Sequence, residues 1–174
     1  MRGAMGVALA AALLTAPAMA QGGGLTGYWQ GKYDCAQGVT GVTLTIRETM
    51  DAEAEGLFLF YAVSENPGVP TGCYRLRGRY DPATREVRLV SDESQWLWRP
   101  ENYVTVNFVG RMEASGGRMR GIVEGPGCTA FDLRRVADAP PAPEPCTRAM
   151  HLSRRGGGGG ALAAVAPPGA GGVR

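Results

Sequence analysis

The stretch Leu25-Thr26-Gly27-Tyr28-Trp29-Gln30-Gly31-Lys32-Tyr33-Asp34-Cys35 alternates without a break. Leu25, Gly27, Trp29, Gly31, Tyr33 and Cys35 fall on one side, and Thr26, Tyr28, Gln30, Lys32 and Asp34 on the other. Successive strand side chains point to opposite faces, so this is a half-buried antiparallel strand.

The same signature recurs as far as Val136. Val42, Leu44 and Ile46 alternate with Thr43, Thr45 and Arg47, and residues 57–62 form a continuous apolar run. Tyr74, Leu76, Gly78 and Tyr80 alternate with Arg75, Arg77 and Arg79. A turn at residues 81–84, with Pro82 where a type I turn favours proline, leads into a strand over 86–90. Val104, Val106, Phe108, Gly110 and Met112 predict a long strand, and residues 115–117 turn the chain back into strands over 118–124 and 129–136. No stretch has helical periodicity. Eight strands with short sequential connections predict an all-β, antiparallel up-and-down barrel, whose closure removes exposed edges. Glycines interleaved with Trp, Tyr and Phe on the inward faces suit a tapered, mostly filled interior. A membrane-embedded barrel needs apolar outward faces, whereas these carry Thr43, Thr45, Arg75, Arg77 and Arg79.

Composition changes sharply at both ends of the strand region. Arg2, the apolar run over residues 7–16 and the small-x-small site Ala18-Met19-Ala20 have the form of an export signal over residues 1–20. That run is too short to span a bilayer. Residues 21–24 are a flexible lead and 25–136 the barrel domain. Residues 137–174 are rich in Pro, Gly and Ala, with a five-glycine run at 156–160, and are expected to be a disordered tail. A periplasmic or secreted location follows. The 18 basic and 16 acidic residues leave no electrostatic footprint for nucleic acid or an anionic membrane.

Cys35, Cys73, Cys128 and Cys146 are an even set in an exported chain, so disulfides are expected. Barrel closure sets the end of the first strand beside the start of the eighth, which pairs Cys35 with Cys128. Cys73 is left for Cys146, reached if the Pro-rich segment folds back along the wall; ten extended residues span about 33 Å. No C-x-x-C pair occurs and the only histidine, His151, lies in the tail, so neither a zinc site nor His-dependent nucleophilic catalysis is supported. Asp92 and Glu93 are adjacent and would diverge on a strand, unlike a glycosidase carboxylate pair. No catalytic residue, cofactor or metal is expected.

In a meander, alternate connections gather at one end. Here that end holds Gln37, Asn66, Trp96, Trp98 and Arg99 and adjoins Cys35, Cys73 and Cys128. Trp96 and Trp98, at i and i+2 on an extended segment, are expected to point the same way beside Arg99, either as a hot-spot patch or stacking platform or as a lid packed over the barrel mouth. Gln37, Asn66, Trp96, Trp98 and Arg99 are the candidate binding residues.

Leu25-Thr26-Gly27-Tyr28-Trp29 resembles the opening strand of lipocalin- and avidin-type barrels, which begin with a G-x-W element. The resemblance implies a Trp packed near one barrel end and a small ligand in the interior. Tyr33-Asp34-Cys35-Ala36-Gln37-Gly38 is similar to the Y-x-C-x-x-G start of periplasmic C-type lysozyme inhibitors, which are also small disulfide-bonded barrels. The expectation is a non-enzymatic exported barrel that binds a small molecule or glycan at the end carrying Trp96 and Trp98. The alternative is a protein-interaction module, such as an inhibitor of a cell-wall enzyme in the periplasm. A spacious pocket favours the first; a filled interior with a protruding Trp loop favours the second.

Overall fold

The structure, a computed structural model, describes residues 24–138 and 141–148. The expected export signal, the lead before residue 24 and the glycine-rich run lie outside the described residues. Nine strands follow in order: β1 (Gly27–Cys35), β2 (Gly38–Glu48), β3 (Glu53–Tyr61), β4 (Gly72–Asp81), β5 (Glu86–Val90), β6 (Trp96–Trp98), β7 (Asn107–Met112), β8 (Arg118–Glu124) and β9 (Ala130–Val136). All neighbours are antiparallel, and β9 returns to pair with β1, so eight of the strands form the expected closed barrel. Among the described residues no helix is long and apolar enough to cross a membrane.

The ninth strand, β6, was not expected. It continues where the short β5 stops: β4 pairs with β5 over Arg77–Asp81 and with β6 at Cys73 and Tyr74. The predicted long strand from Val104 begins only at Asn107. The reason is geometric, because β5 ends at Val90 and offers no ladder partner further up, while β6 pairs with β4 alone. The turn after β4 sets the register of the β4–β5 hairpin. Asp81 lies opposite Glu86 and Arg79 opposite Arg88, because Oδ1 of Asp81 accepts from the amides of Ala83 and Thr84 and Arg85 takes a positive φ of 61°.

The period-two alternation fills the barrel. Phe58 is fully buried at the centre, with Tyr33, Tyr74 and Phe108 around its ring at 5.5, 4.5 and 5.4 Å. Where Phe131 crosses the interior, a Cβ at Gly110 or Gly121 would lie 2.7 or 2.9 Å from its ring, so the aromatic occupies space that glycine leaves. At the barrel end opposite Cys35, the buried Trp29 donates its indole N–H to the Leu25 carbonyl at 2.9 Å. The guanidinium of Arg135, its register partner on β9, stacks over the ring at 4.2 Å. That guanidinium also donates to the carbonyls of Gly24, Thr26 and Gly116, tying the chain's entry and the β7–β8 turn to one plug. Arg135→Ala is expected to lower stability by about 2 kcal/mol, since it removes both a cation–π contact and charge-assisted hydrogen bonds. Urea unfolding checks this, and Arg135→Lys should recover only part of the loss because an ammonium lacks the planar fork.

Both expected disulfides are present, Cys35–Cys128 and Cys73–Cys146. The second explains the continuous apolar run of β3. Phe58 and Phe60 face the interior, whereas Leu57 and Leu59 face outward and are nevertheless buried, in a cluster with Cys73 and Cys146 to which Ala142, Tyr61 and Leu97 add partial cover. The start of the tail is therefore part of the fold, with residues 141–148 strapped to the wall. The outward Thr43 is likewise buried, and its hydroxyl shares a 3.2 Å hydrogen bond with that of Tyr61.

Candidate functional site

Connections 36–37, 62–71, 91–106 and 125–129 gather at one end of the barrel, as strand parity required. Between them, above the aromatic core, lies a cavity of about 390 Å³. Tyr33 and Tyr74 stand at its base. Phe60 and Tyr103 form one wall, their rings stacked 5.2 Å apart, and the Cys35–Cys128 bridge with Pro126 forms another. Val104 and Val106 add apolar surface, and Ala36, Gln37 and Asn102 complete the rim.

The polar groups here are few and neutral. The Gln37 side-chain amide donates to the Tyr33 hydroxyl at 3.1 Å and to Thr40 Oγ1 at 3.3 Å. Asn66 sits behind that loop and donates to the Gln37 carbonyl at 2.6 Å. It packs against Gly38, whose φ of 85° suits glycine in the tight β1–β2 turn. Burial holds the pKa of Tyr33 far above that of a free phenol, and burial raises those of Tyr74 and Tyr103 as well, so all three remain uncharged. No lining residue carries a formal charge. A buried ion without a partner is costly, and the lining offers a charged group no counter-charge.

Of the expected site residues, Gln37 lines the cavity and Asn66 braces it from behind. The shared Trp platform is corrected. A β-bulge between Cys73 and Tyr74 sets Trp98 opposite Cys73, on the outer face, and Trp96 opposite the inward Tyr74. Trp96 packs edge-on against Tyr74 and Phe60 at 4.8 and 6.2 Å, while Trp98 remains 40% exposed. Arg99 also has a structural setting: it pairs with Glu93 at 2.9 Å, donates to the Tyr103 carbonyl at 2.9 Å and lies 5.8 Å from the Trp96 ring.

The Glu93 carboxylate accepts from the Trp96 indole, the Thr105 amide and the Thr105 hydroxyl besides pairing with Arg99; hydrogen bonds, led by that from the Thr105 backbone, hold its pKa below the usual carboxylate range. Its neighbour Asp92 caps the short 3₁₀ turn Glu93–Gln95 by accepting from the Ser94 amide. Among the described residues no group of His, Cys, Asp and Glu side chains is arranged to hold a metal ion. In comparisons with known proteins, no family model and no curated sequence matches the chain.

Proposed function

We propose that this protein is a non-enzymatic binding barrel that takes one small, uncharged, largely apolar molecule into the cavity at its mouth. The observation that carries the reading is a cavity of about 390 Å³ with aromatic and aliphatic walls and a neutral hydroxyl–amide pair at one side. That size is at the low end for small-molecule pockets, which fits a compound of up to three rings. Tyr33 and Gln37 supply directional contacts to a single polar substituent. The proposed location is periplasmic or secreted, supported by the export signal read in residues 1–20 and by two disulfides. The G-x-W resemblance agrees with this reading, since Trp29 plugs the end opposite the cavity.

A second reading, a protein-interaction module, is favoured by the filled lower interior and by two exposed apolar side chains near the rim, Trp98 at 40% and Val104 at 45%. Titration of the full chain with N-phenyl-1-naphthylamine, a neutral fluorescent aromatic, separates the two. Saturable one-to-one enhancement is expected, weakened at least about tenfold by Tyr103→Ala through loss of an aromatic contact and its buried area. Binding indifferent to Tyr103→Ala but lost in Trp98→Ala would move the site to the outer wall. No binding of neutral aromatics, together with specific retention of a purified cell-wall enzyme, would replace this reading with the second.

A further inference from the structure

The wall of the cavity has one seam that no backbone ladder closes. Among the described residues β6 pairs only with β4, β7 begins at Asn107, and no backbone hydrogen bond joins segment 103–106 to β6. Barrel strands normally satisfy their amides and carbonyls on neighbouring strands. Here side chains do so. The Thr105 N–H donates to Glu93 Oε1 at 2.9 Å, and the Tyr103 carbonyl accepts from Arg99 Nε at 2.9 Å. The Tyr74 hydroxyl, reaching from inside, accepts from the Val106 N–H at 3.1 Å and donates to its carbonyl at 3.2 Å. Below them Asn107 Oδ1 accepts from the Ser91 amide at 3.1 Å.

The same segment forms one side of the cavity through Tyr103, Val104 and Val106. Neither Glu93 nor Arg99 lines the cavity, and their carboxylate and guanidinium side chains are each about half exposed, at 49% and 48%. An exposed ion pair is a weak tether beside a ladder of buried backbone hydrogen bonds, and segments held this way open locally without global unfolding. Asn102, at the tip, already has a left-handed φ of 62°.

We propose that segment 99–106 is a side gate to the mouth cavity, latched by the Glu93–Arg99 pair, and that ligand enters and leaves through the seam between β6 and β7. The proposal rests on the reading of that cavity as the binding site. Glu93 and Arg99 are positioning residues: they hold the segment and do not touch ligand. Because a latch changes the height of the barrier and not the occupied pocket, its removal speeds association and dissociation together.

The test uses Glu93→Ala, with Arg99→Gln as a second variant. Stopped-flow measurement with N-phenyl-1-naphthylamine is expected to show both rate constants rising about fivefold or more while Kd moves less than about twofold, a split that loss of a binding contact does not give, since contacts act mainly on dissociation. Hydrogen exchange on ligand-free protein is independent of any ligand. The amides of Tyr103, Thr105 and Val106 are expected to exchange about tenfold faster in each variant, with β1 and β2 unchanged. If the exchange result appears and the probe does not bind, the latched opening of segment 99–106 stands, while the binding reading and with it the ligand route fall. Unchanged exchange at 103–106, equal acceleration throughout the barrel, or a rise in dissociation alone overturns the gate.

Discussion

Phe58→Ala is expected to be the most damaging single substitution in the interior, lowering stability by about 4 kcal/mol. Phe58 is fully buried and touches Tyr33, Phe60, Tyr74 and Phe108, with the Tyr74 ring stacked at 4.5 Å and the Phe108 ring edge-on at 5.4 Å. The loss combines transfer of a phenyl group, the cavity it leaves and several aromatic contacts. Collapse around the void is blocked, because β3 is held between β2 and β4 along its whole length and its outer face is strapped as well. Phe58→Leu should recover more than half of the loss by refilling most of the volume. Urea unfolding decides, and a midpoint for Phe58→Ala close to that of the parent protein would mean that the aromatic cluster is not the barrel's centre of stability.

The barrel was legible because the wall strands other than β3 carry the period-two alternation, and strand parity then located the mouth. Closure fixes the neighbours of β1 and β9, which is why the pairing of Cys35 with Cys128 follows from strand order alone. The site was legible only in part. Gln37 and Asn66 stand on tight connections whose place follows from parity, whereas Tyr103, Val104 and Val106 belong to a segment whose alternation promised a strand. That pattern reflects burial of Val106 and half-burial of Tyr103, not ladder pairing. The bulge that separates Trp96 from Trp98 depends on how β6 meets β4, a long-range relation with no local signature. The apolar run at 57–62 did carry a signal, since a strand buried on both faces reads this way, and Cys146 was the clue to what covers it. Glu93 was missed because its partners come from three positions beyond it on the chain, brought together by the seam.

Removing either disulfide is expected to cost as much as losing Phe58, and the two losses should differ in kind. The bridges span 93 and 73 residues, for which restriction of the unfolded chain is worth about 4.5 kcal/mol each, an upper figure. The logarithmic dependence on loop length separates these two values by only about 0.2 kcal/mol. Any larger difference therefore reports folded-state contacts. Cys35→Ser/Cys128→Ser deletes part of the cavity wall at a point where β1 and β9 are already paired below, so it should weaken N-phenyl-1-naphthylamine binding and leave the outer surface unchanged. Cys73→Ser/Cys146→Ser frees the strap from Leu57 and Leu59, both 2% exposed in the intact fold, and adds the cost of exposing them, about 1–2 kcal/mol. It should unfold at the lower urea concentration, bind an apolar surface dye strongly and self-associate through the uncovered β3 face, while cavity binding persists. Light scattering and dye fluorescence on the two double variants provide the comparison. If both behave alike on the surface, packing of residues 141–148 holds the strap without its bridge, and the outer face of β3 stays dry by contact alone.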